Sequence, residues 1–355
     1  MPAPRRVLIL ALGLLIPAAA PGADTAVQAP KIGKPRPAPP TPPDIAPLPP
    51  AYFDPTLAVG GEDVKARKIE TRLSVDVQVN GRGPYKFIVD SGADTSAVGL
   101  RIARDLQLPL GTPVILNAMT ARNIVDRVRV DELTLGPSTI RNLELPALRE
   151  ADLGGDGMIG IDALVQQRLM MDFEQKLIKV EDASIPLKFS RDDIVITARR
   201  QRGQLILTHV KAAGLDLDAV IDTGSEITIG NLALRDKLIR GNHDKFVTVP
   251  VTGVTGATAD LQLARVGELQ LGSVVLHDVP MAFADVPPFK MFGLIKEPAL
   301  LLGTDILETF RRVSLDFRAR KVRFQLRRCD GIVTIGTDPN SITRITSSSQ
   351  EACAR

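Results

Sequence analysis

A mostly β chain, folded as two similar lobes about an approximate twofold axis, is what this sequence predicts. Three observations carry that expectation. Short stretches of apolar–polar alternation dominate the chain between its ends. Helical periodicity is confined to brief pieces. Four segments recur in the same order, the second set following the first.

The alternation is plainest in "RLSVDVQVNGRGPYKFIVD", which runs from Arg72 to Asp90 and breaks at Asn80-Gly81, the dipeptide that suits a two-residue hairpin turn. It returns in "DRVRVDELTLG", "KLIKVED", "GQLILTHVKAAG" and "ARVGELQLG". Helical patterning reaches only Leu100–Leu106, Ala163–Gln167 and Leu232–Leu238. The repeat pairs "KFIVDSGADTSAVG" with "DAVIDTGSEITIG", and "VRVDELTLGPSTIRNLELPAL" with "ARVGELQLGSVVLHDVPMAF". It then pairs "GMIGIDAL" with "LLLGTDIL", and "MMDFEQKLIKV" with "SLDFRARKVRF". A unit this long exceeds any solenoid repeat and reads as one lobe. The second copy is longer mainly around "DVPPFKMFGLIKEPA". Residues 61–190 are therefore read as the first lobe and 191–328 as the second.

The ends read differently. Arg5 and Arg6, the apolar run Val7–Ile16 and the small residues of "PAAAPGA" have the order of an export signal, assigned to residues 1–23. The apolar run is short for a membrane span, so a periplasmic or secreted protein without a stable membrane anchor is expected, an uncleaved anchor being the alternative. Residues 24–60 are thick with proline and are read as a linker or a propeptide-like spacer. Residues 329–355 are read as a tail. It holds both cysteines, Cys329 and Cys353, which either pair in an oxidising compartment or stay free.

Composition removes several function classes. A net charge of +3, with Arg5, Arg6, Lys31 and Lys34 assigned to the flanking segments, gives no basic field for nucleic acid. The basic stretch Arg311–Arg328 alternates with Val322, Phe324 and Leu326 and reads as the wet face of a half-buried strand. His209, His243 and His277 are scattered without metal-ligand spacing. No Gly-x-Ser-x-Gly elbow and no phosphate-cradling glycine loop occurs.

What carries chemistry is the repeated acid. In "FIVDSGADT" and "AVIDTGSEIT" an apolar strand delivers Asp90 or Asp222 into a turn of Ser or Thr followed by Gly. Glycine allows a tight turn and the close approach of a second backbone. The hydroxyls of Ser91 and Thr223 can bond across to a neighbouring chain. Two such loops about a twofold axis would set two carboxylates face to face, where one proton is shared between them. One carboxylate can then activate a water while the other donates to a substrate carbonyl.

These loops, "DSGADTS" and "DTGSEIT", resemble the Asp-Ser/Thr-Gly-Ala/Ser motif of aspartic proteases, the retropepsin-like group in particular. That family carries a downstream pattern of two apolar residues and a glycine bracing each loop, which Met158-Ile159-Gly160 and Leu301-Leu302-Gly303 resemble. The resemblance runs from about Arg67 to Leu326. It implies a two-lobed pepsin/retropepsin-like acid protease fold with pseudo-twofold symmetry, and an aspartic endopeptidase with Asp90 and Asp222 as its catalytic pair. Ser91, Gly92, Thr223 and Gly224 are implied as the residues supporting the loops. A flap is implied near Asn117–Asn123, over "VTGVTGATA" (Val251–Ala259), or both. It further implies a polypeptide substrate, no metal or organic cofactor, and a monomer, since both halves lie in one chain. The alternative on the same fold is a catalytically inactive peptide- or envelope-binding protein.

The chain departs from its relatives in places. Its only tyrosines, Tyr52 and Tyr85, fall outside flap positions, unlike the flap tyrosine of pepsin-like enzymes. Ala93 follows one catalytic glycine and Ser225 the other. A hydroxyl can stabilise an ionised aspartate and a methyl cannot, so the halves are expected to titrate differently, with an optimum between acidic and near-neutral pH. The recurring Asp162 and Asp305, and Asp172 and Asp316, are expected to be structural, capping a helix or closing a turn. Asp94 and Glu226 are expected to face solvent or pair with an arginine.

Overall fold

The computed structural model describes residues 29–40, 62–69, 72–136, 138–164, 167–182, 193–201, 204–238, 246–327, 335–337 and 345–347. The predicted export signal, most of the proline-rich segment and both cysteines lie outside these residues. Among the described residues, no helix is long and apolar enough to cross a membrane.

In the first half, β1 (Arg36–Pro37), β2 (Glu62–Ile69), β3 (Arg72–Val79), β4 (Arg82–Val89) and β5 (Ala97–Gly99) lead to α1 (Leu100–Asp105). There follow β6 (Val114–Asn117), β7 (Arg122–Val125), β8 (Arg127–Leu135), β9 (Ser138–Leu148), α2 (Glu150–Leu153) and β10 (Gly157–Ile159). A 3-10 turn at Ile161–Ala163 precedes β11 (Gln167–Asp172) and β12 (Leu177–Asp182). The second half runs β13 (Asp193–Gln201), β14 (Gln204–Ala212), β15 (Leu215–Ile221), β16 (Ile229–Gly230), α3 (Leu232–Leu238), β17 (Val247–Thr252), β18 (Thr258–Leu271) and β19 (Val274–Phe283). It ends with α4 (Pro287–Met291), β20 (Ala299–Leu302), α5 (Thr304–Leu307), β21 (Arg312–Asp316) and β22 (Lys321–Gln325).

The fold is mostly β and two-lobed, as the repeat predicts. β3 and β4 pair antiparallel around Asn80 and Gly81, whose φ values of 49° and 70° suit the expected hairpin turn. Leu73, Val75, Val77 and Val79 of β3 point into the core while Asp76 and Gln78 point away, the period-two pattern of a half-buried strand. Phe87, Ile88 and Val89 are all buried, because that end of β4 is flanked by β3 on one side and β10 on the other. The second lobe repeats these pairings: β14 with β15, β14 with β18, and β15 parallel to β20.

Of the three predicted helical pieces, two form, as α1 and α3. Ala163–Gln167 does not, since the 3-10 turn ends at Ala163 and β11 begins at Gln167. Ala163 and Leu164 are instead buried in the apolar core from a turn, a tertiary placement that local periodicity does not reveal. The two longer helices share an anchor at their starts: Glu150 accepts the Arg101 N–H at 2.6 Å, and Asp285 accepts the Leu232 N–H at 2.9 Å. A carboxylate there meets the orphan amides of a first helical turn.

The lobes are joined by an antiparallel sheet of order β2-β12-β11-β21-β22-β13. Each lobe supplies a hairpin to it, and β11 meets β21 at the centre. Val322 and Phe324 of β22 are buried, as the alternation of the basic stretch predicts. Leu326, expected on the same buried face, lies beyond the strand end and is 52% exposed. One apolar cluster runs from Leu73 and Val75 through Leu169, Met171 and Leu315 to Leu217 and Val266, so both lobes share a core.

Residues 29–40 of the predicted proline-rich linker lie against the first lobe. β1 pairs antiparallel with β7, Ile32 packs on the core, and Gly33 donates to Asp126 Oδ2 at 2.8 Å.

Candidate active site

Each lobe builds its Asp-Ser/Thr-Gly loop in the same way. β4 runs parallel to β10 and ends at Asp90, whose N–H donates to the Ile159 carbonyl at 2.9 Å. β15 runs parallel to β20 and ends at Asp222, whose N–H donates to Leu302 at 3.0 Å. The chain then turns back so that β5 pairs with β10, and β16 with β20. The turn is closed by the aspartate itself. Asp90 Oδ1 accepts the N–H groups of Gly92 and Ala93 at 2.7 and 3.1 Å. Asp222 Oδ1 accepts those of Gly224 and Ser225 at 3.1 and 3.0 Å.

The two loops are locked to one another by crossed hydrogen bonds. The Ser91 N–H donates to Thr223 Oγ1 at 2.8 Å, and the Thr223 N–H to Ser91 Oγ at 3.2 Å. Each hydroxyl then donates onward across the interface, Thr223 Oγ1 to Val89 O at 2.9 Å and Ser91 Oγ to Ile221 O at 3.0 Å. Both residues are buried, so each hydroxyl is needed as acceptor and donor at once. Gly92 and Gly224 permit the close approach. A Cβ on Gly92 would stand 2.6 Å from Asp222 Cγ, and one on Gly224 would stand 2.1 Å from Asp90 Cγ. Each carboxylate thus lies over the other loop's glycine.

A second pair of aspartates braces the loops from behind. Asp162 accepts the Ser96 N–H and Oγ at 2.9 and 2.7 Å, and Ser96 Oγ accepts the Gly160 N–H at 3.0 Å. Asp305 accepts the Thr228 N–H and Oγ1 at 2.9 and 2.7 Å, and Thr228 Oγ1 accepts the Gly303 N–H at 3.0 Å. The Ile161 N–H donates to Ala93 O, and the Thr304 N–H to Ser225 O, both at 2.9 Å. These acids are structural, as expected, but they tie loops together more than they cap helices. Asp172 and Asp316 do close turns, accepting the N–H groups of Gln175 at 2.7 Å and Ala319 at 2.6 Å.

The electrostatics of the central pair follow from this packing. Burial pushes the Asp90 carboxyl above the usual carboxylate range, against the pull of the Gly92 amide and the Arg72 charge. Burial raises Asp222 as well, and the adjacent Asp90 charge adds to it. Two carboxylates so placed titrate as a unit and share a proton over the intermediate pH range.

Two hairpins lie where flaps are expected. β6–β7 turns at 118–121 and β17–β18 turns at 253–257, which are the two segments the sequence left open. Their tips meet: a Cβ on Gly253 would stand 2.3 Å from Thr120 Oγ1. Met119 of the first tip packs on the apolar cluster of the second lobe, as does Ile227 of the Asp222 loop. Val254 of the second tip packs on an apolar cluster of the first lobe, as does Ala93 of the Asp90 loop. Each hairpin tip therefore packs on the opposite lobe.

The sequence profile of the aspartyl protease family matches residues 75–163 and again residues 208–306, more than half of the chain in two lobes. The chain belongs to the aspartyl protease family. A search of curated proteins found no match. The two matches of this family member each contain one Asp-Ser/Thr-Gly loop and its bracing glycine.

Within this aspartyl protease scaffold, Ser225 corrects one expectation. Its hydroxyl donates to Ile227 O at 2.7 Å, and the loop amides serve Asp90 and Asp222 alike. The difference between Ala93 and Ser225 therefore does not act through a hydroxyl on the carboxylate. A larger asymmetry was missed from sequence. Arg72 ion-pairs with Glu226 at 3.0 Å and donates to Gly224 O at 3.4 Å. Gln204 donates to Gly92 O at 3.0 Å and to Asp94 at 3.2 Å. Extending the repeat backwards aligns Arg72-Leu73 with Gln204-Leu205, which was the available signal.

Proposed function

We propose that this aspartyl protease family member is an active aspartic endopeptidase, with Asp90 and Asp222 as its catalytic residues. The reading is carried by one observation: two adjacent carboxylates, Asp222 buried and Asp90 partly so, each closed onto its own loop amides and lying over the opposite glycine, held by reciprocal Ser91–Thr223 hydrogen bonds. Ser91, Gly92, Thr223 and Gly224 keep the pair in register.

In the resting pair one carboxyl carries the shared proton and the other is ionised. The ionised carboxylate takes a proton from a water, whose oxygen attacks the scissile carbonyl carbon. The protonated partner donates to the carbonyl oxygen, giving a neutral tetrahedral diol. Collapse of the diol breaks the C–N bond, with a proton passing to the leaving amine. The pair ends with one proton, as it began. The polypeptide substrate lies extended between the lobes beneath the flaps, where strand-like hydrogen bonding suits its backbone. Both aspartates come from one chain, so a monomer suffices. The Arg5–Ala23 pattern supports work in the periplasm or outside the cell.

The test is cleavage of an unfolded polypeptide by the purified chain, read at several pH values between acid and neutral. Asp90→Asn and Asp222→Asn are each expected to cost about a thousandfold or more in kcat/KM with the fold retained. Binding of the polypeptide without cleavage by the unsubstituted chain would favour the inactive peptide-binding alternative instead.

A further inference from the structure

The internal repeat makes the two catalytic loops nearly interchangeable, so a position where the lobes differ in charge stands out. β3 pairs with β4 in the register Ser74↔Ile88, and extending it by two residues sets Arg72 level with Asp90. β14 pairs with β15 in the register Ile206↔Val220, which sets Gln204 level with Asp222. Arg72 and Gln204 are thus the same residue of two equivalent strands, and each reaches over to the other lobe's loop.

Both grip that loop through the carbonyl of its catalytic glycine and the residue four places beyond the aspartate. Gln204, fully buried, holds Gly92 O and Asp94. Arg72, with its side chain 14% exposed, holds Gly224 O and Glu226, and its Nη1 donates to Leu153 O at 3.1 Å. Gly154 leaves room for the guanidinium, since a Cβ there would stand 1.9 Å from Arg72 Nη2. Gly224, which Arg72 holds, is the glycine under Asp90.

We propose that Arg72 is a positioning residue of the reaction, holding the Asp222 loop against Asp90 and setting one positive charge on the aspartate pair from one side only, while Gln204 does the same mechanical work without charge. The inference rests on the endopeptidase reading above.

Among the described residues, several acidic groups flank the pair. Asp94 and Glu226 sit on the two loops themselves. Asp162 and Asp305 lie behind them, with Glu308 beside Asp305. Arg149 and Asp152 pair with each other at 2.7 Å near the second flap tip at Gly256. Arg72 favours the ionised form of both Asp90 and Asp222. Its charge therefore lowers both limbs of the bell-shaped profile that a proton-sharing pair produces.

The experiment is the pH profile of kcat/KM on an unfolded polypeptide for four chains, with thermal unfolding run alongside. Arg72→Gln, which copies the other lobe, is expected to move both limbs up by about half to one pH unit. Arg72→Lys keeps the charge and is expected to restore the limb positions even where the rate is lower. Glu226→Gln removes the opposing anion and is expected to move the limbs down, which keeps the inference testable should Arg72→Gln fail to fold. An active unsubstituted chain whose limbs stay in place in both Arg72→Gln and Glu226→Gln reduces Arg72 to a structural clamp and overturns the proposal. An unsubstituted chain that cleaves nothing at any pH overturns the endopeptidase reading, and the proposal with it.

Discussion

Asp305 shows how one residue can serve a site it never touches. It is 1% exposed and accepts the Thr228 N–H, the Thr228 hydroxyl and the Ile306 N–H, yet burial still pushes its carboxyl up to about 7. An unfolded aspartate ionises near pH 3.9, so between that pH and about 7 the folded protein binds a proton that the unfolded chain has lost. The contribution of Asp305 to stability is complete below the unfolded value and falls as pH rises through the folded one. The loss is on the order of 4 kcal/mol for a shift of this size. Urea unfolding at about pH 4.5 and 7.5 checks this: the drop in stability between the two is expected to be smaller in Asp305→Asn than in the unsubstituted chain. Asp162 is shifted in the same direction for the same reason, so the first lobe carries a matching weakness toward neutral pH. Much of this residue-level chemistry was legible. Asp90, Asp222, Ser91, Thr223 and the bracing glycines stand in repeated local motifs, and the structure places them together. The partner of the Ser225 hydroxyl was not legible, because a short side chain bonds to whichever backbone oxygen the turn presents.

At the scale of elements, the first candidate flap is a hairpin with an added strand. β1 lies antiparallel on β7, the Ala38 N–H donates to Arg122 O at 3.0 Å, and Arg122 donates back to Pro39 O. This is strand addition at an exposed edge, supplied by the chain's own proline-rich segment. A flap held in this way must break those bonds in order to lift. At roughly 1 kcal/mol for each hydrogen bond, removing the segment lowers the opening cost by about 2 kcal/mol. A chain lacking residues 29–40 is expected to show at least tenfold faster amide exchange in Arg122–Val125 and a several-fold higher kcat/KM. Equal values in the two chains would mean that the strand does not restrain the flap. The hairpins themselves were readable from alternation and from Asn80-Gly81. The added strand was not, since Arg36–Pro37 carries no strand signal and its pairing depends only on an edge left open elsewhere.

For the whole molecule, the sheet between the lobes is what holds the two halves together. At its centre β11 and β21 run antiparallel with Arg168 opposite Asp316 and Asp172 opposite Arg312, so that each lobe offers a cation to the other lobe's buried acid. Arg168 reaches Asp316 through Nε and Nη2, both at 3.0 Å, and Arg312 reaches Asp172 at 2.5 Å. Asp172 is fully buried, and Arg168 and Asp316 nearly so. Breaking such a pair leaves an uncompensated charge in the core. Arg168→Met is therefore expected to cost about 3–5 kcal/mol in urea unfolding, and adding Asp316→Leu is expected to recover most of it. A loss in Arg168→Met that the second substitution does not reduce would assign the cost to lost packing around the Arg168 stem.

The sequence by itself determined the number of lobes, their β character, the two facing aspartates and the residues that brace them. Each of these is written in a local pattern, and the repeat wrote it twice. Only the tertiary structure decided which strand of one lobe meets which strand of the other, that Arg72 and Gln204 sit beside the pair, and that residues 29–40 lie on a flap. Those contacts join residues far apart in the chain and depend on how two curved sheets fit. No periodicity of two or 3.6 records that fit, because it belongs to surfaces that exist only once both lobes have folded.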